Sequence, residues 1–455
     1  MLMRTPIPLI FLLSAWLWSS TAQALLEIHI TQGVEGGIPV AVVPFEWTGS
    51  GAAPAEDISR IVSDDLSRSG KFELKDPSDF LETPHHGSEV DFEKWRAIGV
   101  ENLVVGRIKP NPSGGYLVQF QLFDIFKPGS LSPDQPTYRL KQLAGYNLPT
   151  TAQRLRDTAH FISDVIYEKL TGERGAFSTR IAYVTATRGE GGDERYSLQV
   201  SDYDGHNEFE VLGSPKPVMS PTWSPDGRQL AYVSFEQGRS AVYVQDLSTT
   251  TPRKMADFRG INGAPAWSPD GRQLALTLSR DDPGNTEIYV MEVATGNLRR
   301  ITYNRAIDTE PAWSPDGRTL VFTSDRSGGP QLYRVPAQGG RAERLTFEGN
   351  YNARGTFSPD GKLLAMVHSS GNGFRVGVLD LENRSLRVLT EGPLDEAPTF
   401  APNGSMILYA TGHRQRGELA AVSVDGGVRA RLRLQQGNVR EPAWGPFLNQ
   451  SKERQ

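Results

Sequence analysis

Five carboxylates stand at recurring places in the second half of the chain: Asp308, Glu310, Asp395, Glu396 and Glu441. Grouped around one cavity, carboxylates can divide into acid and base if their surroundings push their pKa values apart, or they can hold a divalent ion. One reading is therefore a secreted propeller hydrolase or lactonase that uses channel carboxylates and a divalent ion. No residue pattern sets their pKa values apart, however, and no nucleophile accompanies them. The chain lacks a Gly-x-Ser-x-Gly elbow, a P-loop and a dinucleotide fingerprint. His85 and His86 are neighbours in a polar loop, where adjacent side chains rarely share a metal. His29, His160, His206, His368 and His413 have no ligand spacing. Asp202-Tyr203-Asp204-Gly205 resembles the head of a calcium loop but has no later Glu. Asp64-Asp65 and Asp281-Asp282 read as solvated faces or loop tips. No metal, cofactor or catalytic residue is assigned.

The elements that must position these carboxylates are set by a repeat. Trp-Ser-Pro-Asp-Gly-Arg begins at Trp223, Trp267 and Trp313. Worn copies begin at Phe357 and Phe400, and Trp444-Gly-Pro446 is a stump. A period of 43–46 residues with about four strands per unit is that of a β-propeller blade. Ser-Pro-Asp-Gly is a turn: Pro presets φ, Asp bonds back to the backbone, and Gly accepts φ > 0. It fits a hairpin between an innermost strand and its neighbour. Apolar-alternating runs such as Leu230-Ala-Tyr-Val233, Val242-Tyr-Val244 and Arg300-Ile-Thr302 supply the remaining strands. Ile181-Ala-Tyr-Val184 opens a set of three strands with no aromatic-turn strand before it, and Pro442-Ala-Trp444 is a first strand with none after it. Joined, they complete a six-bladed ring over residues 173–447 with no open edge. The repeated aromatics read as core between blades.

Residues 25–172 alternate strand and helix patterns, as expected of a small α/β domain. Strands are expected over residues 38–45, 102–108, 116–123 and 137–143. Helices are expected over 56–69, 91–98 and 151–170, where apolar residues recur at helical spacing and glycine follows the end. Arg4, the apolar run of residues 7–18 and Ala22-Gln23-Ala24 read as a signal peptide cut between Ala24 and Leu25. That run is short for a membrane span. With no cysteine, the chain has neither disulfides nor thiol chemistry, and a formal charge of −5 does not favour nucleic acid. Residues 448–455 read as a disordered tail. Residues 25–36 alternate apolar and polar side chains and then loosen at Gly33, Gly36 and Gly37. They read as an edge strand of the α/β domain, or as a detachable strand that can pair elsewhere.

The residues just ahead of each aromatic turn fall in loops feeding the innermost strands, and so gather at one mouth of the channel. They are Met219 and Ser220; Ile261, Asn262, Gly263 and Ala264; Asp308, Thr309 and Glu310; Asn352 and Arg354; Asp395 and Glu396; and Glu441. Polar groups on loops held by a rigid scaffold are where binding collects. Their make-up suits a polar peptide or protein better than an apolar ligand.

Specific stretches along the chain carry a resemblance. Val43-Pro-Phe45, Ser69-Gly-Lys-Phe72, Glu168-Lys-Leu-Thr-Gly172, Arg180-Ile-Ala-Tyr-Val184, Asn262-Gly-Ala-Pro265, Thr309-Glu-Pro311 and Asp395-Glu-Ala-Pro398 occur in order. On these the chain resembles the TolB family of the Tol–Pal system of Gram-negative bacteria. The resemblance implies a non-enzymatic periplasmic adaptor required for outer-membrane invagination during division and for outer-membrane integrity. It implies that the mouth residues named above bind the peptidoglycan-associated lipoprotein, Pal. It also implies that Leu25, Leu26, Glu27, Ile28, His29, Ile30, Thr31, Gln32, Gly33, Val34, Glu35 and Gly36 bind the C-terminal domain of the inner-membrane protein TolA. Other outer-membrane lipoproteins and group A colicins are further partners that it implies. Where some members carry His before Asn-Gly-Ala, this chain has Ile261, which makes the surface more apolar there.

Overall fold

The computed structural model of the 455-residue chain describes residues 27–32, 36–128, 136–189, 191–282, 284–413, 416–433 and 437–448. The expected signal peptide, its cut between Ala24 and Leu25, the positions of Leu26, Gly33, Val34 and Glu35, and the tail from residue 449 lie outside them.

In the α/β domain one sheet runs in the order Phe72–Leu74, Ile38–Val42, Asn102–Pro110, Tyr116–Asp124, Gln142–Thr150, with Glu46–Trp47 also paired to Asn102–Pro110. Ile38–Val42 is parallel to both its neighbours, Glu46–Trp47 is parallel to Asn102–Pro110, and the two remaining pairings are antiparallel. The helices Ile58–Ser69 and Leu155–Thr171 bury Ile58, Ile61, Val62, Leu66, Leu155, Ile162 and Ile166 against Val104, Val118, Phe120 and Leu122. Asp57 caps the first helix by accepting from the Arg60 N–H, and Gly70 ends it at φ 65°. Only glycine fits there: a Cβ on Gly70 would stand 2.0 Å from the Val428 side chain of the propeller. Its αL turn thus also sets how closely the domains approach.

Three expectations need correction. The strand expected at residues 137–143 starts as the helical turn Thr137–Lys141, and the strand follows at Gln142–Thr150. The helix expected from residue 151 begins at Leu155, after a 3-10 turn at Ala152–Arg154. Asp65 is not on a solvated face. It is fully buried, with its partners coming from the second long helix and the propeller.

The propeller has six blades, five continuous and one joined from both ends of the region. Blades one to five begin with the innermost strands Val218–Trp223, Asn262–Trp267, Asp308–Trp313, Tyr351–Phe357 and Asp395–Phe400. Blade six pairs Asn438–Trp444 with Arg180–Arg188, Trp444 opposite Ile181, so the ring closes as expected. The repeated turn is locked by its serine. Ser224 Oγ donates to Asp226 Oδ1 at 2.6 Å and accepts from the Gln229 N–H at 2.9 Å. Ser268, Ser314 and Ser358 repeat both bonds. The tryptophans sit between blades: Trp223 Nε1 donates to the Ala443 carbonyl at 3.0 Å and Trp313 Nε1 to the Ala266 carbonyl at 3.1 Å. Each buries its rings while satisfying its one donor on the blade before it.

The strand Glu27–Gln32 does not join the α/β sheet. It pairs antiparallel with Arg429–Arg433, the outer strand of blade five, and makes that blade five-stranded. Ile28 stands opposite Leu432 and Ile30 opposite Ala430.

Candidate partner-binding site at the channel mouth

Apart from Ile261, which directly precedes its strand, the residues ahead of each aromatic turn are not in loops. They form the first half of the innermost strands themselves, and in all six blades the strand carries a bulge at the same place. In blade one Met219 opposes Val233 and Thr222 opposes Ala231, so Ser220 and Pro221 together face Tyr232. The same slip falls between Gly263 and Ala266, Thr309 and Ala312, Ala353 and Thr356, Glu396 and Thr399, and Arg440 and Ala443. Its cause can be read in the sequence. Pro221, Pro265, Pro311, Pro398 and Pro442 stand two residues before the aromatic, and a proline cannot donate to the ladder. Gly355 takes that place in blade four.

The bulge puts one residue per blade in the left-handed region. Ser220, Ala264, Glu310, Arg354, Ala397 and Glu441 have φ between 42° and 54°, and none is glycine. Such a conformation costs about 1–3 kcal/mol per residue and persists only where its surroundings over-determine it. Those surroundings are visible. The Glu310 N–H donates to Thr277 Oγ1 at 3.2 Å and the Arg354 N–H to Thr323 Oγ1 at 3.1 Å, each threonine lying on the second strand of the preceding blade. Glu310 Oε2 accepts from both the Arg354 N–H and Thr323 Oγ1. Arg354 in turn sends both terminal nitrogens to Glu441 across the channel. Burial would raise the Glu441 carboxyl, but Arg354 and the Ser220 N–H outweigh it and hold the acid below its ordinary range.

Four of the expected contact residues turn inward. Asn262, Asp308, Asn352 and Asp395 are buried at the start of their strands. Asn262 accepts from the Phe258 N–H at 2.9 Å and donates to the carbonyls of Ser240, Phe258 and Gly260. Asn352 binds Gln331, the Glu348 carbonyl and His368. Asp308 accepts from Arg326 through both oxygens, and Asp395 accepts from Thr411 Oγ1 at 2.6 Å. They brace the connections that present their neighbours. Met219 and Glu396 are exposed, and Ser220, Gly263, Ala264, Thr309, Glu310, Arg354 and Glu441 are partly so. Ile261 is 51% exposed.

The rim also holds residues that sequence reasoning missed. Ile307 and Leu394 are 51% and 43% exposed, and with half-buried Tyr351 they occupy the position of Ile261 in blades three, five and four. The signal was an apolar residue directly before each inward Asn or Asp. Tyr303 and Phe347 are more exposed still, on the connections entering blades three and four, and each lies against an arginine. The mouth is thus a polar, charge-paired floor with exposed apolar side chains at its rim. It is poorly suited to the carboxylate chemistry first considered, because Asp308, Glu310 and Glu441 are engaged by arginines and Asp395 by Thr411.

Among the described residues, metal-ligand groups gather at Asp65, His160 and Asp204, between the two domains. Arg156 donates to Asp204, and Arg68 lies 3.7 Å from Asp65 and 3.6 Å from Asp204. With two guanidinium groups, and an imidazole whose pKa is pushed up to about 9, beside two carboxylates, the acids already have their countercharge, and the cluster is a buried ion-pair network joining the domains. The spacing of His160 and the Asp202–Gly205 stretch gave no hint of it, because its members are separated by up to 139 positions (Asp65 to Asp204).

A family model described as the TolB beta propeller domain matches residues 167–448, and one described as the TolB amino-terminal domain matches residues 26–131. The chain is 56% identical over 429 residues to the Tol-Pal system protein TolB of Thioalkalivibrio sulfidiphilus, covering 94% of this chain and 95% of that one. The chain belongs to the TolB family. The Tol-Pal system protein TolB of Nitrosococcus oceani is 52% identical over 435 residues, covering 95% of this chain and 96% of that one. The crystal structure of TolB from Acinetobacter baumannii is similar with a TM-score of 0.82 at 40% identity, covering 93% of this chain and 100% of that one. Among the described residues no helix is long and apolar enough to cross a membrane.

In this TolB-family chain, the segment expected to bind a second partner begins beside the domain junction. Arg429–Arg433, which pairs with Glu27–Gln32, contributes Ala430 and Leu432 to an apolar cavity of about 60 Å³ between the domains. Tyr167, Phe177 and Tyr203 line it from the other side.

Proposed function

We propose that the protein is a non-enzymatic periplasmic adaptor that docks the peptidoglycan-associated lipoprotein on the channel mouth and offers residues 25–36 to the C-terminal domain of TolA. Membership of the TolB family supports the assignment to the Tol–Pal system. The observation that carries the mouth assignment is the ring of six strained residues, one per blade, which fixes a charge-paired floor beneath exposed Ile261, Ile307 and Leu394. Strain kept in every blade is a standing cost to stability, and docking a partner gives it a purpose. The edge pairing of Glu27–Gln32 supports the second assignment, since a strand held at one edge can be released to pair with another chain.

In this reading the two sites communicate through the docked strand. The lipoprotein changes TolA access only to the extent that it binds differently to the docked and released forms. The activity serves constriction of the outer membrane at division and its integrity between divisions. Pull-down from solubilised envelopes with the full chain and with residues 25–36 deleted tests the assignment. Deletion should lose TolA and keep the lipoprotein. Loss of both partners, or of neither, would count against the split.

A further inference from the structure

The face of the α/β sheet opposite the two long helices carries a second feature. Toward one end this face is covered by Val43, Leu103, Val105 and Phe123 packed with Trp95. Farther along, the loop at His85 and His86 stands over it and leaves a cleft of about 260 Å³. Its lining includes Arg107, Gln119, Gln121, Gln142 and Asn147, with no carboxylate. Arg107, Gln119 and Asn147 lie directly across from one another on three adjacent strands.

Two hydrogen-bonded chains cross the cleft, and the direction of each is forced. Arg107 Nε, which can only donate, bonds Gln119 Oε1 at 3.0 Å, so the Gln119 amide nitrogen must face Asn147 and donate to its Oδ1. The Gly87 N–H, likewise only a donor, bonds Gln121 Oε1 at 2.8 Å, and Gln121 Nε2 then donates to Gln142 Oε1 at 2.9 Å. Every amide oxygen therefore already accepts a hydrogen bond. The groups left without a partner are N–H donors: the terminal nitrogens of Arg107 and the amide nitrogens of Asn147 and Gln142. The nearest acid, Glu89, is spent on the backbone N–H groups of His85 and His86. Buried His85 Nδ1 has no hydrogen-bond partner. Burial, and then Arg107, hold the His86 imidazole below its ordinary pKa, with Glu89 opposing them only in part.

We infer that this cleft binds a small oxyanion, the carboxylate or phosphate group of a ligand, between Arg107, Asn147 and the His85–His86 loop. Such a group accepts hydrogen bonds without donating any, which matches the donors left over, and the guanidinium supplies its counter-charge.

The test uses the full chain labelled with 15N-histidine and titrated at constant ionic strength with inorganic phosphate, with glucuronate and with glucose. Saturable movement of the His86 ring signals is expected with at least one anion, and none with glucose. Phosphate alone or glucuronate alone identifies which oxyanion is preferred. Arg107→Gln should weaken the binding by about tenfold or more, the scale of one lost charged hydrogen bond. Asn147→Asp should do the same while keeping the oxygen that accepts from Gln119, so it carries the test should Arg107→Gln fail to fold. No saturation with either anion, an equal response to glucose, or unaltered affinity in the folded variants overturns the inference.

Discussion

Arg354 of blade four reaches past blade five to Glu441 of blade six, with Nη1 3.2 Å from Oε1 and Nη2 bonded to Oε2. The two side chains remain 25% and 21% exposed, so the pair is only partly withdrawn from water. Both residues hold left-handed backbones. The bond therefore ties two strained points of the mouth together. Arg354→Ala should destabilise the protein by roughly 2–3 kcal/mol, less than the 3–5 of a fully buried pair. Arg354→Lys should rescue little, since one ammonium cannot span both oxygens. Urea unfolding of the three proteins measures both effects.

At Ala264 the strain can be tested apart from charge. Its φ of 42° suits glycine, so Ala264→Gly should leave stability unchanged or raise it by up to about 1 kcal/mol. Ala264→Val, with a branched Cβ, should lower it by about 1–3 kcal/mol. Equal unfolding midpoints for the two variants would contradict the bulge geometry.

The docked strand makes a backbone prediction. Without residues 25–32, the outer edge of Arg429–Arg433 loses its partner. Hydrogen exchange across that strand should quicken, while Met406–His413, flanked by strands on both sides, keeps its protection.

The interdomain network makes a prediction about pH. His160 Nδ1 lies 2.8 Å from Asp65 and Nε2 3.5 Å from Asp204, with Arg156, Arg68 and Tyr203 close by. Burial lowers its pKa, but the two carboxylates outweigh burial and push it up to about 9. A raised folded pKa means that the stabilisation is complete below the unfolded value of 6.5 and is lost as pH rises through 9. For so buried a group the loss is on the order of 3 kcal/mol. His160→Gln should flatten the fall in urea midpoint between pH 6.5 and pH 9 relative to the parent.

How much of this could be read from residues alone differs by level. The ring and its closure were legible because the Trp223, Trp267 and Trp313 turns repeat a local chemistry, and Trp444 and Ile181 are its two loose ends. The bulges were written in the prolines at 221, 265, 311, 398 and 442 but read as loop residues, since polar composition hides a strand that lines a channel. Inward Asn262 and Asp308 look like binding groups until the carbonyls and the guanidinium that occupy them are in place. Alternation at residues 26–31 announced a strand, whereas its pairing with Arg429–Arg433 depends on two segments some four hundred residues apart. Asp65 was misjudged for a similar reason, because a carboxylate is buried when another element brings the countercharge, here His160.

The central claim, that a partner docks on the mouth, is tested most directly at Gly263. A Cβ there meets nothing within 4 Å, so the fold accommodates a side chain that projects from the docking surface. Calorimetric titration with the periplasmic domain of the lipoprotein should give one-to-one binding to the parent protein. Gly263→Lys, equally stable, should bind about a hundredfold more weakly or not at all. Undiminished heat and affinity in that variant would contradict the account.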